Sequence, residues 1–141
     1  KRMTRFNITL DQSVKFVDLV YKKMLGSELF VPKLKSYKIL DLAAAISKES
    51  PLIFTGIRPG EKIHEEMISE TESLNTLEFN NYYIVMPSSS YSGKNKSFFI
   101  KRYKKFKEIK KSFSYRSEIN EFLSIKQIQE LIKRNIHTFV F

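Results

Sequence analysis

The 141-residue sequence contains no cysteine and only four glycines, and no part of it is a long apolar run. Without cysteine, disulfide bonds and thiolate metal sites are excluded, which fits a reducing compartment. A membrane span needs ~20 uninterrupted apolar residues and a secretory signal needs an apolar core, and neither pattern occurs. We therefore expect a soluble chain with a cytoplasmic location.

The composition is that of one ordinary globular domain, because 42% of the residues are hydrophobic and 13% are aromatic. The chain begins with Lys1 rather than methionine and enters a strand-like segment within two residues. We therefore expect it to be a fragment whose natural amino terminus lies upstream.

The net charge of +10 is concentrated in the carboxyl-terminal third. Residues 1–93 hold 12 Lys/Arg against 11 Asp/Glu, whereas residues 94–141 hold 13 against 4. Nine of these cations lie between Lys94 and Lys111, interleaved with aromatic side chains. Such a segment is either a solvated face or subunit contact, or the nucleic-acid-binding surface of a non-enzymatic module.

Periodicity predicts a mixed order of strands and helices. Residues 5–9 indicate a strand, and a helix follows that ends at Gly26, with a stripe predicted to pack against the core. A second strand spans 28–31, and a second helix follows Ser36. The stripe of the first helix comprises Val14, Val17, Tyr21 and Met24.

The second half of the pattern surrounds a turn at 58–61. Residues 52–57 indicate a buried strand, residues 62–67 a short helix, and residues 76–86 an extended segment. Ser124 is placed to cap a last helix, in which Ile125, Ile128 and Ile132 share one side.

The run from Gly56 to Lys62 combines an arginine, a rigid Pro-Gly turn and a carboxylate. The guanidinium of Arg58 is a planar fork of donors that suits phosphate oxygens, and the carboxylate of Glu61 can accept hydrogen bonds from ribose hydroxyls. Arg5 offers a second cation, as a diphosphate would require. An ordinary surface turn with an Arg/Glu pair is the alternative for so short a motif.

Several longer blocks together resemble the UDP-N-acetylglucosamine 4,6-dehydratases of the 5-inverting type, which are extended short-chain dehydrogenase/reductases. The resemblance covers nearly the whole chain. Its blocks are Met3-Thr4-Arg5-Phe6-Asn7-Ile8-Thr9-Leu10, Phe30-Val31-Pro32-Lys33, Ser36-Tyr37-Lys38-Ile39-Leu40-Asp41-Leu42-Ala43, Gly56-Ile57-Arg58-Pro59-Gly60-Glu61-Lys62-Ile63-His64-Glu65, Met67-Ile68-Ser69, Asn81-Tyr82-Tyr83-Ile84-Val85, and Tyr115-Arg116-Ser117-Glu118-Ile119-Asn120 followed by Leu123-Ser124.

This resemblance implies an α/β fold, namely the carboxyl-terminal substrate-binding lobe of such an enzyme without most of its Rossmann domain. Residues 1–93 would be the nucleotide-sugar-binding lobe, and residues 94–141 a basic extension of the same domain ending in a helix. By resemblance, Arg5 and Arg58 bind the substrate diphosphate and Glu61 binds the uridine ribose.

The implied reaction converts UDP-N-acetylglucosamine into a UDP-4-keto-6-deoxy-hexose with inversion at C5, using NADP, in surface polysaccharide or capsule biosynthesis. The resemblance also implies that the complete enzyme is a homo-oligomer. A stand-alone nucleotide-sugar-binding lobe without activity of its own is an alternative.

The family's cofactor and catalytic motifs are not matched. None of the four glycines forms G-x-x-G-x-x-G or G-x-G-x-x-G, so we expect NADP to be bound by a missing amino-terminal part. Tyr103 and Lys107 have the family's catalytic Tyr-x-x-x-Lys spacing only by coincidence, because in the family that pair precedes the substrate motifs. We assign no catalytic residue to this chain.

Two further features depart from known patterns. Arg116 stands where the family usually has serine, and the segment from Lys94 to Lys111 is unusually basic. His64 is not part of an H-E-x-x-H motif and His137 is distant in sequence, so no metal site is expected. We also expect no specific nucleic-acid binding.

Overall fold

A computed structural model describes residues 2–88 and 94–135, so the predictions on His137 and on the carboxyl-terminal residues after 135 lie outside the described residues. The chain divides into two compact units that alternate along the sequence. The described part of the first consists of residues 2–9, 34–65 and 116–135, and the second consists of 10–33 and 66–115 apart from the gap at 89–93. The predicted division at residue 93 concerns binding roles and stays a prediction.

The first unit is built on a two-stranded antiparallel sheet of β1 (Thr4–Phe6) and β3 (Ser36–Lys38), in which Arg5 lies opposite Tyr37. Helix α2 (Ile39–Ile46) follows β3 directly and packs against α5 (Ile125–Asn135). The helix predicted after Ser36 begins only at Ile39, because the backbone of Ser36 bonds instead to Glu121 and Leu123.

The predicted last helix is confirmed as α5, with Ser124 at its start. The Ser124 hydroxyl accepts the Gln127 N–H at 3.3 Å, and the Gln127 amide oxygen accepts the Ser124 N–H at 2.9 Å. This reciprocal pair is the capping box that the sequence pattern indicates. Ile128 is buried on the inner face of the helix.

The connection between α2 and β4 (Glu66–Ile68) differs from its prediction in two places. Residues 52–57 form no strand, and Leu52, Ile53 and Ile57 are exposed, because no strand of the described chain pairs with them. Residues 62–67 form no helix, because the carbonyl of Ile63 accepts the Thr4 N–H and that of Glu65 accepts the Ser117 N–H. Both predictions are therefore wrong.

The second unit centres on a four-stranded antiparallel sheet in the order β2-β6-β5-β7. Strands β5 and β6 fall within the predicted extended segment 76–86, and β2 extends through Pro32, one residue beyond the predicted strand 28–31. Their bounds are β2 (Leu29–Pro32), β5 (Thr76–Glu78), β6 (Tyr82–Val85) and β7 (Lys107–Glu108). The other elements with residues here are β4, α1 (Leu10–Lys23), α3 (Glu70–Ser73), α4 (Lys96–Arg102) and part of β8 (Tyr115–Arg116).

The core of the second unit is aromatic and aliphatic, with Leu77, Ile84 and Phe99 fully buried. Phe79 stacks on Tyr82 with 4.8 Å between ring centroids. Helix α1 contributes Phe16, Leu19 and Val20 to this core.

The apolar stripe of α1 that was predicted to pack against the core lies on a different face of the helix, so this prediction is wrong. Val14, Val17, Tyr21 and Met24 are exposed, although the helix itself is confirmed and Gly26 after it has a φ of +102°. The helix carries two apolar faces, and hydrophobic periodicity alone does not distinguish which of them meets the core.

Candidate functional site

Arg5 is positioned by β1 next to the segment 61–65. The Thr4 N–H bonds to the Ile63 carbonyl at 3.0 Å, which fixes this segment beside the strand. The Arg5 guanidinium then donates from Nη1 to the carbonyls of Thr4 at 2.7 Å and Ile63 at 3.1 Å, and from Nη2 to that of Lys62 at 2.9 Å. Arg5 thus ties β1 to the segment that follows the turn.

Two carboxylates complete the surroundings of Arg5. Its Nη2 lies 3.8 Å from Glu61 and its Nε lies 3.4 Å from Glu65, while the Arg5 side chain is only 20% exposed. A guanidinium has five N–H donors in a fixed plane, and here five oxygens surround it. A ligand oxygen that binds this guanidinium must therefore replace one of these contacts.

The predicted turn at Arg58–Glu61 is confirmed. The Glu61 N–H bonds to the Arg58 carbonyl at 3.0 Å, and the Glu61 side chain accepts the Arg58 N–H at 3.2 Å. Gly60 has a φ of +79°, a conformation that only glycine adopts without strain. The turn therefore holds the Glu61 carboxylate in place through its own backbone.

Arg58 is exposed, and its guanidinium makes no hydrogen bond or ion pair with residues 2–88 or 94–135. A cavity of about 550 Å³ opens next to it, within the range of small-molecule sites. The cavity wall is mostly apolar, with Arg58 and Glu61 as its charged members. Its lining residues are Met3, Ile39, Leu40, Ile53, Phe54, Thr55, Gly56, Ile57, Arg58 and Glu61.

A network of buried hydroxyl groups stabilises the segment 63–65, which lies beside β1. The Thr4 hydroxyl lies 2.7 Å from the Ser117 hydroxyl and 2.8 Å from His64 Nδ1. The Ser117 hydroxyl also accepts the Glu65 N–H at 2.9 Å. Thr4 and Ser117 are both buried, so the network orders the backbone of 63–65 and offers no nucleophile to a ligand.

Sequence reasoning missed this network, because its members are 60 and 113 residues apart. The block around Ser117 contributed to the family resemblance, which was the only signal for it. Arg116, the departure from the family pattern, forms an ion pair with Glu118, whose carboxylate also lies 3.8 Å from His64. The unusual arginine is therefore locally neutralised.

Tyr103 is a core residue, and the interpretation of its spacing to Lys107 as coincidental stays a prediction. Its side chain is buried and its hydroxyl donates to Glu28. Burial, and then the hydrogen bond to Glu28, raise the pKa of Tyr103 far above its usual range, so the phenol stays protonated. A proton-transfer role would need a pKa closer to the operating pH.

Metal binding finds no support in the described residues, where no three histidine or acidic side chains cluster closely enough to hold an ion. In residues 2–88 and 94–135, no helix has the length and apolar character needed to cross a membrane.

Several side chains of the basic segment 94–111 are engaged within the second unit. Lys94 donates to the carbonyl of Leu25, and Lys96 donates to that of Leu74 at 3.1 Å. The Arg102 guanidinium lies over the Phe98 ring at 3.7 Å from its centroid. Part of the charge thus serves local packing.

The chain is similar to several known proteins. Two proteins from strains of Campylobacter jejuni, both named UDP-N-acetylglucosamine 4,6-dehydratase (inverting), are 44% and 41% identical over 93% of this chain. The chain spans only 40% of the length of each of them. The structure of Pen from Bacillus thuringiensis superposes with a TM-score of 0.78 over 95% of this chain and 38% of that chain, at 24% identity.

These matches confirm the predicted α/β fold class and the resemblance to the inverting dehydratases. A family model described as polysaccharide biosynthesis protein matches residues 1–87, which include β1, the turn at 58–61 and the cavity wall. The chain therefore belongs to the polysaccharide biosynthesis protein family.

Proposed function

We propose that this chain is the nucleotide-sugar-binding part of a dehydratase that removes water from UDP-N-acetylglucosamine and yields a UDP-4-keto-6-deoxy-hexose inverted at C5. One observation carries the proposal: the Arg58–Glu61 turn presents an unengaged guanidinium and a fixed carboxylate at the edge of an apolar-walled cavity of about 550 Å³. The names of the two Campylobacter relatives supply the substrate and the reaction.

The three predicted site residues take distinct roles in this proposal. Arg58 binds a phosphate oxygen through its planar donor fork. Glu61, held by the Arg58 N–H, accepts hydrogen bonds from the ribose hydroxyls. Arg5 supplies the second positive charge, and its contact with Glu61, at 3.8 Å the longest of its five, is the one that a phosphate oxygen replaces.

Such remote contacts contribute to the reaction through placement of the sugar. Binding energy from the diphosphate and the nucleoside orients the hexose without touching the carbons that react. The residues of this chain do not fit a dinucleotide, because its glycines form no glycine-rich turn. NADP is therefore assigned to the larger part of the relatives that this chain does not match, and homo-oligomer formation and cytoplasmic location stay predictions.

Calorimetric titration of the chain with UDP-N-acetylglucosamine and with UDP tests the assignment. Arg58→Ala removes a charge-assisted hydrogen bond worth about 1.5–3 kcal/mol, so the Kd should rise roughly 10- to 150-fold. Arg134→Ala is the matched control, because Arg134 is exposed on α5 and its ion pair among the described residues is with the exposed Glu130. An unchanged Kd in Arg58→Ala, or no binding of UDP to the unaltered chain, would contradict the proposal.

A further inference from the structure

Helix α1 carries an apolar face that nothing in the described chain covers. Its inner face packs Phe16, Leu19 and Val20 against the core of the second unit. A second set of apolar side chains is left in solvent, with exposed fractions between 47% and 82%. We call this set the α1 stripe, and it consists of Leu10, Val14, Val17, Tyr21 and Met24.

The α1 stripe has the geometry of a packing seam. Its members follow one another at intervals of 4, 3, 4 and 3 residues, so they lie within an arc of about 80° at 100° per residue. Met24 follows the end of α1, but its N–H still bonds to the Val20 carbonyl at 2.8 Å. Alternating steps of three and four are the spacing with which helices pack on apolar partners.

Charged side chains border the α1 stripe on one flank. Lys15 pairs with Asp11 at 2.7 Å and Lys22 pairs with Asp18 at 2.6 Å, each four residues apart. These cations and anions are equal in number, whereas helices that lie on membranes carry a basic polar face. The flank therefore favours a protein partner over a lipid surface.

A helix that carries two apolar faces is normally covered on both. Monomeric proteins rarely leave such a continuous apolar stripe in water. In the same unit, β2 forms an edge of the four-stranded sheet, and its Leu29 is also exposed. Among the described residues, the unit thus offers an exposed apolar helix face and an exposed apolar side chain on an edge strand.

We propose that the α1 stripe is the docking surface for the part of the dehydratase polypeptide that the longer relatives carry outside the matched region. The match takes 93% of this chain but only 40% of the Campylobacter relative, so the larger part of that protein is available as a cover. The stripe lies within the residues that the family model matches. The partner is an apolar protein surface belonging to the same enzyme.

A second copy of this chain is a less favourable partner for the α1 stripe than the unmatched part of the enzyme. A helix of 14 residues is about 20 Å long and offers one seam of five side chains, whereas a stable dimer buries about 800 Å² on each partner. The unmatched part of the relative is longer than this chain and can extend its contact beyond the seam.

The absence of cysteine allows a direct test by thiol labelling. Val17→Cys is placed on the α1 stripe, and Leu74→Cys, also exposed and in the same unit, is the matched control. Both are made in the 141-residue chain and in a chimera in which this chain replaces the matching part of the Campylobacter relative. Maleimide labelling of Val17→Cys should be at least about tenfold slower in the chimera, with Leu74→Cys nearly unchanged.

Equal labelling of Val17→Cys in the two proteins would overturn the proposal. Protection that appears in the 141-residue chain as its own concentration rises would assign the stripe to a second copy. Protection by vesicles containing anionic lipid would assign it to a membrane, and either result also overturns the proposal.

A stability measurement tests the same surface by another route. Val17→Asp should leave the urea midpoint of the 141-residue chain unchanged, because the Val17 side chain is exposed there, but should lower that of the chimera. Leu74→Asp should change neither midpoint by a comparable amount. If Val17→Asp lowers the urea midpoint of the 141-residue chain as much as that of the chimera, Val17 lies in the core and the proposal is wrong. A large loss in the 141-residue chain leads to the same conclusion when the chimera variant does not fold.

Discussion

At the scale of single residues, Arg5 orders the candidate site in which we propose that it also binds the ligand. Its guanidinium contacts three carbonyls and two carboxylates, so it orders the segment that carries Glu61 and Glu65. A charge held this way is prepositioned, which lowers the entropy that a ligand contact must overcome. In the proposed site, a phosphate would have to compete with Glu61 for Arg5.

Substitution of Arg5 should therefore affect folding before any ligand is added. Arg5→Lys keeps the charge, but a lysine has three donors and no planar fork, so several of the five contacts are lost. We expect the free energy of unfolding to fall by about 1–3 kcal/mol in urea titrations. Arg134→Lys on the exposed surface of α5 should change it by less than about 0.5 kcal/mol. Equal effects of the two variants would show that Arg5 is a solvated side chain.

The sequence predicted Arg58 and Glu61 as a unit because a short turn joins them, and Arg5 as the second cation that a diphosphate requires, a role that the family resemblance also implied. The structure brings Arg5 to 3.8 Å from Glu61 across 56 residues of chain. Local sequence patterns do not predict a contact between residues so far apart in the chain, and they do not predict the hydrogen bond between Thr4 and Ser117 either. Contacts of this range depend on the fold and become visible only in three dimensions.

At the scale of elements, the prediction of a helix was more reliable than the prediction of its environment. Helix α1 was found from its periodicity, but Val14 and Val17 fit the expected core stripe as well as Phe16 and Val20 do. Residues 52–57 are apolar enough for a buried strand, yet no described strand pairs with them. In both cases the sequence predicts an apolar surface, but only the tertiary structure shows what covers that surface.

Strand β6 makes the folded state sensitive to alkaline pH through Tyr83. Burial, and then the negative charges of Glu78 and of Tyr115, raise the pKa of Tyr83 to about 12 from its ordinary value of 10. Between these values the unfolded chain loses the phenolic proton first, so stability decreases as the pH rises towards the folded pKa. Urea unfolding at pH 8, 10 and 11 should show this decrease, and Tyr83→Phe should reduce its slope. An identical slope in Tyr83→Phe would rule out this origin.

At the scale of the whole molecule, the charge is unevenly distributed and partly engaged. Residues 1–93 are nearly neutral and contain Arg5, Arg58 and Glu61, whereas the segment 94–111 holds nine cations and one acid. Lys94, Lys96 and Arg102 already contact carbonyls or an aromatic ring of the second unit. This pattern favours a solvated face or a subunit contact over a nucleic-acid site.

Titration against labelled single- and double-stranded oligonucleotides tests that preference. We expect weak binding at about 50 mM salt that disappears at about 200 mM, as for nonspecific attraction of a cationic segment to a polyanion. The chain with Lys101, Lys104 and Lys105 changed to glutamine serves as the control and should lose even the weak binding. Micromolar affinity that persists at the higher salt would instead support a nucleic-acid-binding module.

The last prediction concerns the activity of this chain by itself. The proposed site binds the nucleotide, but the chain has no glycine-rich turn for NADP. Tyr103 is buried in the core, where its hydroxyl donates to Glu28 and stays protonated. The purified chain incubated with NADP and UDP-N-acetylglucosamine should therefore yield no product lighter by one water in mass spectrometry. The chimera with the unmatched part of the Campylobacter relative should yield that product. In the chimera, Arg58→Ala should raise KM more than it lowers kcat. The reason is that a contact remote from the reacting carbons binds substrate and transition state alike. A dehydrated sugar formed by the 141-residue chain alone would show that its own residues complete an active site.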